Sequence, residues 1–595
     1  MHGLGNTLAY KKGFRTPKIC PMNQHTLATT LELAAHLIQS QQYAQAEALL
    51  IPVVQSQPNA IRAWQLLTHL STESAKYTQG LFAAWQANSL QSTPDMQALF
   101  ARCLNHVAIT AHDPQLQNAV ARAVAETWGQ PAELAEQAGK LLKLDPLLKP
   151  HLDNPHQVFT GADIKALNQH PLLNALLQSA PICDLALEPW LTKLRKTLLL
   201  NPIFIESAPV LTASLAQQCF INEYIYPVSD VETAALKALG NTEPLLIQAC
   251  YQPLHTCAEA DVWSQQTWPA ATQAVIQQQL IEPRTEAALA DAMPSLTPIS
   301  DGVSQAVQAM YEESPYPRWV RAPKASAPQS LNIFLTNTYP LSGFTPLSCD
   351  NPLEVLIAGG GTGQHPLHTA RHFAGAQVQV IDLSRRSLAY AQRKTQELSI
   401  NNLRFAQADI LQIGQINQSF DIIESVGVLH HMADPWAGWE ALLTRLKPNG
   451  LMKLGFYSET ARQHINQLRD FIKAQGFGNT PEAIRACRQH LIQHSHSANI
   501  SDIFLLRDFY STSACRDLLF HVQEHQLTLP AIDAFLKSHD LRFIGFETDA
   551  NTLDTYRKEF PDDPAATNLA NWHQFEQRHH NTFISMYQFW VQKVT

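Results

Sequence analysis

Charge is scarce in this chain. Asp, Glu, Lys and Arg make up 16% of its 595 residues and the formal net charge is −9. No run of five or more basic residues occurs, so the electrostatic footprint of a nucleic-acid surface is missing. No apolar run approaches the roughly 18 residues that a membrane helix needs. Neither nucleic acid nor membrane is therefore an expected partner. Cysteine is sparse too: the nine thiols (Cys20, Cys103, Cys183, Cys219, Cys250, Cys257, Cys349, Cys487 and Cys515) follow no repeated spacing. They read as reduced, mostly buried thiols of a cytoplasmic protein. The N-terminus lacks a signal-type apolar segment, and residues 1–25, with Lys11, Lys12, Gly13, Arg15 and Pro17, read as a disordered tail. What the chain does have is length enough for several domains, each with its own core.

Residues 26–148 are rich in Ala, Leu and Gln and carry helical periodicity. Leu33, Tyr43, Ala46 and Leu50 recur thirty-four residues later as Leu67, Tyr77, Gly80 and Ala84, with Pro58 and Pro94 at the ends of the two copies. A helix pair of that period cannot bury its apolar face alone, so neighbours must stack. An ordinary helical bundle is the alternative. A second helical block covers 149–295. Within it, 170–177 and 187–195 read as amphipathic helices and 213–226 as an apolar helix interrupted by polar groups. Pro294, Pro298 and Ser300 mark a linker, and a third domain runs from 303 to 595.

The chemistry concentrates at 354–363, Glu-Val-Leu-Ile-Ala-Gly-Gly-Gly-Thr-Gly. Four apolar residues running into Gly359, Gly361 and Gly363 predict a buried strand, a tight turn and a helix start. Glycines there let a ligand approach the main chain, and the free N–H groups favour a negative group. Asp382 ends a second apolar strand (378–381), where an acid can bind the two hydroxyls of a ribose. A helix over 384–398, a strand over 403–407 ending in Ala408-Asp409, and a strand over 420–423 leading into 424–431 follow. A helix over 435–446 and a strand over 451–457 come next. Strands alternating with helices imply a parallel sheet with its ligand at the strands' carboxyl ends. Helices over 458–540 interrupt the sheet, which resumes with strands over 541–547 and, antiparallel, 583–591. The expected fold is α/β, a Rossmann-like seven-stranded domain preceded by all-α domains.

This ordered set, with Val428-Leu429-His430-His431 and Leu446-Lys447-Pro448-Asn449-Gly450, resembles the class I S-adenosylmethionine-dependent methyltransferases over about residues 350–460. The resemblance implies that Gly359, Gly361 and Gly363 meet the methionyl part of the cofactor. It also implies that Asp382 holds the ribose hydroxyls and Asp409 the adenine amino group, with Leu383, Ala408 and Ser425 completing the set. Residues 425–431 would line the space beside the methyl. One position departs: many relatives carry an acid two residues before the first glycine, where this chain has Ile357, which leaves a degenerate, non-catalytic domain as an alternative. Ala358-x-Gly360-x-x-Gly363 also reads as a loose NAD fingerprint, but that reading leaves Asp409 and 428–431 unexplained. A segment closely similar to Tyr311-Glu312-Glu313-Ser314-Pro315-Tyr316-Pro317-Arg318-Trp319 occurs in bacterial methyltransferases with amino-terminal tetratricopeptide repeats. In that class the segment before the first strand folds over the cofactor, which makes Tyr311, Glu312 and Trp319 site candidates. A plain docking segment is the alternative.

Methyl transfer needs alignment, exclusion of water and, for a protonated acceptor, a base. His430 and His431 are the candidates, with pKa values near neutrality, and Tyr311, Glu312 and Glu424 are rivals. No Asn/Asp-Pro-Pro-Tyr/Phe follows the fourth strand, which argues against base amino groups and glutamine amides as acceptors. A repeat region able to grip a peptide points to a protein or peptide acceptor. A small molecule is the alternative, and a scaffold with a vestigial domain is the third reading. His521-x-x-Glu524-His525 matches an inverted zinc-protease pattern. The expected metal is nonetheless none, with His521 and Glu524 lining the acceptor pocket.

Overall fold

In the computed structural model, which describes residues 24–239, 244–325, 327–348, 352–494 and 501–594, the apolar runs become a seven-stranded sheet. Its strands are β1 (Leu353–Ala358), β2 (Ala376–Asp382), β3 (Leu403–Gln407), β4 (Phe420–Val426), β5 (Leu446–Phe456), β6 (Leu541–Phe546) and β7 (Tyr587–Lys593). Their order is β3-β2-β1-β4-β5-β7-β6, parallel except for β7, which runs antiparallel to both neighbours. A sheet covered on both faces must be apolar on both, which is why β1 reads as a continuous run. Val355 and Ile357 pack into one core layer with Val378, Val380, Leu388 and Ala391. Leu356 and Ala358 face the other layer, with Ile381, Ile423, Trp439 and Phe456.

Contacts divide the chain into two compact units, Met1–Gln279 with Val320–Ser326 and Leu280–Trp319 with Ala327–Thr595. The first is helical. Helices Gln24–Gln39 and Tyr43–Ser56 recur as Ile61–Glu73 and Tyr77–Leu90. The turns between them place Gln41 and Ala75 in the same left-handed conformation, with φ of 57° and 56°. Ala46, Leu50, Leu67 and Ala84 are buried, whereas Leu33 is 49% exposed. The tail expected over 1–25 lies outside the described residues as far as residue 23, and Gln24 already opens a helix.

Several boundaries differ from the sequence expectation. The apolar helix expected over 213–226 is Pro209–Ile221. Proline at the first helical position starts it early, and Glu223 and Tyr224, both at φ 57°, turn the chain away at its end. The helix expected over 435–446 stops at Leu443, because Leu446 already pairs with Phe420 as the start of β5. The seventh strand begins at Tyr587 rather than 583. Phe583 is buried in the core beside it without joining the ladder. Helix Glu282–Asp291, grouped by sequence with the second helical block, lies in the sheet-bearing unit, where Glu282 and Glu286 pair with Arg393 at 3.2 and 2.8 Å. Among the described residues no helix is long and apolar enough to cross a membrane.

Candidate active site

The glycine turn is built by close approach. Gly359, Gly361 and Gly363 all have positive φ (86°, 50° and 88°). A Cβ on Gly359 would sit 2.2 Å from Val428 Cγ2, and one on Gly363 would sit 2.5 Å from Ala391 Cβ and 3.0 Å from its Cα. Ala391 belongs to helix Arg385–Glu397, so Gly363 sets how tightly that helix packs on the turn. Gly363→Ala is expected to lower stability by about 1–3 kcal/mol through overpacking and backbone strain, read as a drop in the denaturant midpoint of the full chain.

Asp382 at the tip of β2 organises this turn. Its Oδ2 accepts from the Gly361 N–H at 2.8 Å and its Oδ1 from the Ser384 N–H at 2.9 Å. Burial raises its pKa, and those N–H groups offset the rise only in part. Asp409, after β3, is 2% exposed. Its Oδ1 accepts from the Leu411 N–H at 3.0 Å, while Oδ2 is buried without a hydrogen-bond partner. Burial raises this pKa as well, and the Leu411 N–H and the Ser304 hydroxyl compensate incompletely. Ala408 is buried, Leu383 gives its carbonyl to Gln407 Nε2 at 2.9 Å, and the Ser425 hydroxyl donates to the Ala358 carbonyl at 3.1 Å. Loop N–H groups, an acid at the β2 tip and an orphaned carboxylate oxygen at the β3 tip together fit a nucleoside carrying ribose hydroxyls and an amino group. An unpaired buried acceptor costs roughly 1–3 kcal/mol until a donor reaches it.

Ile357 leaves no carboxylate at the end of β1: it is fully buried in a core layer. The acid in register with it is Glu424 on β4. Glu424 Oε2 is taken by His365 Nε2 at 2.5 Å and Thr369 Oγ1 at 2.7 Å, both on helix Gln364–His372. Burial works against its charge, but His365 and Lys453 outweigh it and hold the pKa at about 2. Glu424 is thus an anchor for the helix after the glycine turn, and as a rival base it is out of play.

The segment before the first strand lies on the turn. The Trp319 indole donates to the Thr362 carbonyl at 3.0 Å, the Thr362 hydroxyl donates to the Pro317 carbonyl, and the Tyr390 hydroxyl to that of Trp319. The Ser384 hydroxyl donates to the Tyr311 carbonyl at 3.1 Å, and Glu312 Oε1 accepts from the Arg385 N–H at 2.6 Å. Glu312 therefore serves the helix start behind Asp382. The Tyr311 hydroxyl donates to Asp517 Oδ1 at 2.6 Å and lies 3.2 Å from His521 Nε2, and the Tyr316 hydroxyl donates to Asp508 Oδ1 at 2.8 Å. Arg516 adds Glu313 at 2.9 Å and the Ser314 hydroxyl at 3.0 Å.

His430 and His431 form a one-turn helix after β4. His430 is fully buried, neither ring nitrogen has a hydrogen-bond partner, and its ring lies 4.1 Å from that of Tyr457. Burial, then the nearby His431 and Arg462, push its pKa well below the usual value. His431 donates from Nδ1 to the Gln523 carbonyl at 2.8 Å and stacks on His521 at 3.6 Å. Burial lowers its pKa to about 4, and that of His521 to about 3.

The inverted zinc pattern does not form a metal face. Residues 521–526 lie outside any helix, Glu524 is held by Arg462 and Arg469 at 3.1 and 2.8 Å, and His525 Nε2 meets the Ala433 carbonyl at 3.1 Å. A different trio, His431, Asp517 and His521, brings three donor atoms within 4.8 Å of one another. The types suit a divalent cation. The two imidazole planes, however, are stacked 19° from parallel, so their in-plane lone pairs do not converge on one ion, and Tyr311 already engages both Asp517 and His521. Sequence reading missed Asp508 and Asp517 as site residues. The signal available was polarity inside a helix buried throughout: Thr512–Phe520 buries Asp517 between Arg516 and Leu518, and such a polar group must have a partner.

With this geometry in place, comparison with known proteins adds the following. Residues 355–450 match the family model described as "Methyltransferase domain", so the chain carries a methyltransferase domain. The uncharacterized protein syc1184_c of Synechococcus sp. is 33% identical over 187 residues, 29% of this chain and 41% of that protein. The ubiquinone/menaquinone biosynthesis C-methyltransferase UbiE of Idiomarina loihiensis is 28% identical over 122 residues, 20% of this chain and 48% of that protein. This chain thus spans less than half the length of these curated relatives. Among solved structures, PKMT2 from Rickettsia typhi is similar over 43% of this chain and 51% of its own, at 16% identity and a TM-score of 0.35.

Proposed function

We propose that this chain is an S-adenosylmethionine-dependent methyltransferase whose acceptor is a protein or peptide, gripped by tetratricopeptide-like repeats over 26–148. A second helical domain from 149 to the start of the sheet-bearing unit at Leu280 and a catalytic domain over 303–595, with its insertion over 458–540, complete the proposed organisation, in a cytoplasmic setting. The observation that carries the reading is the pair of acids at neighbouring strand tips: Asp382 fixes the Gly361 N–H at 2.8 Å, and Asp409 keeps Oδ2 buried without a partner. The match of residues 355–450 to a methyltransferase domain supports it. The thirty-four-residue recurrence of helices and of the Gln41 and Ala75 turns supports the repeat assignment.

S-adenosylmethionine, when bound, supplies a methyl carbon activated by a sulfonium. The chain's own residues do the rest. Asp382 would accept hydrogen bonds from the ribose hydroxyls, Asp409 Oδ2 would accept one from the adenine amino group, and Gly359, Gly361 and Gly363 would let the methionyl part lie against the main chain. Tyr311, Tyr316 and Trp319 close the segment 311–319 over the turn and exclude water. His430, neutral and unpartnered, is the base that accepts a proton from the acceptor, and His431 holds the loop at Gln523 in place.

Incubating a cell lysate with the full chain and methyl-radiolabelled cofactor, then fractionating by size, tests the acceptor. Label is expected in macromolecules. Label confined to small molecules would instead favour a metabolite acceptor, the second reading, which the likeness to a C-methyltransferase over 122 residues supports.

A further inference from the structure

We infer that the methyl acceptor is an aliphatic ammonium group, received by the Asp508 and Asp517 carboxylates and the hydroxyl of Tyr457 beneath the segment 311–319. The inference rests on the methyltransferase reading and names the substrate class of that same site.

An ammonium carries three N–H donors and no acceptor. The site offers three matching acceptors. Asp508 and Asp517 each take one phenol, from Tyr316 at 2.8 Å and Tyr311 at 2.6 Å, and each keeps a second carboxylate oxygen. Among the described residues neither acid has a lysine or arginine within ion-pair distance, although Asp517 is only 5% exposed. The nearby arginines are committed elsewhere: Arg462 and Arg469 to Glu524, and Arg516 to Glu313. The Tyr457 hydroxyl has no partner among the described residues, while its ring is in contact with the Arg462 guanidinium (3.6 Å) and His430 (4.1 Å). Arg462, though beyond ion-pair distance, draws on both Asp508 and Asp517, and with Arg469 it also serves Glu524; three carboxylates thus face two guanidinium groups, and the surplus negative charge favours a cationic ligand and repels an anionic acceptor.

Two independent observations point the same way. His430 is a fully buried imidazole, in ring contact with Tyr457, whose nitrogens have no partner. The acids also belong to one electrostatic cluster that reaches the cofactor side. Burial is the largest effect raising the Asp508 and Asp517 pKa values; Asp517 adds to the rise of Asp508 and Glu524 to that of Asp517, against the opposing pull of Arg462 on both. Burial likewise raises that of Tyr311, with Asp517, Tyr457 and Asp382 all contributing. Tyr311 thereby links the ribose acid to the acceptor acids.

The step balances as follows. The ammonium, held by the two carboxylates, gives one proton to the neutral His430 imidazole. The freed amine lone pair forms the new N–C bond to the methyl as the C–S bond breaks, and that bonding pair passes to sulfur. The product is a methylated ammonium, and the imidazolium proton leaves to solvent.

The test uses the full chain with deuterated-methyl cofactor and three acceptor sets: lysine-containing peptides, free hexylamine, and the same peptides with every amine acetylated. Mass spectrometry reads the methylated atom. Methyl on the peptide lysine nitrogen identifies a polypeptide source and methyl on hexylamine a free amine; either supports the inference. Methyl on oxygen, carbon or sulfur, or undiminished transfer to acetylated peptides, overturns it. Calorimetry of hexylammonium against hexanol with cofactor-free protein should show binding of the ammonium alone, weakened at least tenfold by Asp508→Asn with Asp517→Asn. Unchanged far-ultraviolet circular dichroism of that double variant verifies its fold, and retained cofactor binding separates the amine effect from loss of the cofactor site. Unchanged amine affinity in it overturns the inference while leaving the methyltransferase reading intact. Absence of any cofactor binding by the wild-type chain removes the reading and the inference together.

Discussion

Asp382→Ala is expected to weaken S-adenosylmethionine binding about 100-fold, measured by calorimetry on the full chain. The carboxylate has two duties in the proposed complex. It accepts charge-assisted hydrogen bonds from two ribose hydroxyls, each worth roughly 1.5–3 kcal/mol when buried, and a loss of about 3 kcal/mol is two decades in affinity. It also holds the Gly361 and Ser384 N–H groups at 2.8 and 2.9 Å. Its loss frees the middle of the glycine turn and the N-terminus of helix Arg385–Glu397 at once. Asp382→Asn retains one acceptor oxygen without the charge and should fall between wild type and alanine. Wild-type affinity in Asp382→Ala would mean that the nucleoside lies elsewhere and that the pocket is wrongly placed.

Some of this site is legible in sequence because its determinants are local. A glycine turn after an apolar strand and an acid at the next strand's tip need only strand periodicity and turn chemistry, and both survive in the structure at Gly359–Gly363 and Asp382. The strand alternation likewise yields the parallel part of the sheet, β1 to β5, since each strand there is joined to the next through a helical connection. The proposed acceptor side is different. Tyr311 meets Asp517 across 206 residues and Tyr316 meets Asp508 across 192. No periodicity connects positions that far apart, because the pairing is made by the insertion after β5 folding back on the segment 311–319. The zinc-like pattern fails for a local reason invisible in a residue pattern: His521 adopts an extended backbone (φ −60°, ψ 138°) and ends its helix. The i, i+4 face that the pattern needs is therefore never built. Ile357 shows the converse. The missing acid leaves the turn intact, since Asp382 and not a β1 carboxylate holds the Gly361 N–H.

Acidification should destabilise the sheet-bearing unit steeply below pH 6.5. His430, His431 and His521 are packed neutral, with burial holding His431 at about 4, His521 at about 3 and His430 well below its usual value. In the unfolded chain each takes a proton near pH 6.5. Between that pH and the folded values, the unfolded state binds protons that the native state refuses, so stability falls as pH falls. Each histidine contributes about 1.4 kcal/mol per pH unit across its window. Asp382, Asp508 and Asp517 act in the opposite sense. Burial raises their native pKa values, so the native state takes those protons first and is favoured by acid, which offsets part of the fall. Urea unfolding at pH 7, 6 and 5, read by the fluorescence of the buried Trp439, Trp572 and Trp590, measures the net slope. His431→Gln and His521→Gln should each flatten it by up to about 1.4 kcal/mol per pH unit, and the two effects should not add fully, because the rings stack 3.6 Å apart and share one protonation penalty. An unchanged slope in both variants would mean that these histidines already carry their protons in the native state. Neutral imidazoles would then be absent from the pocket where the proposed chemistry requires a proton acceptor.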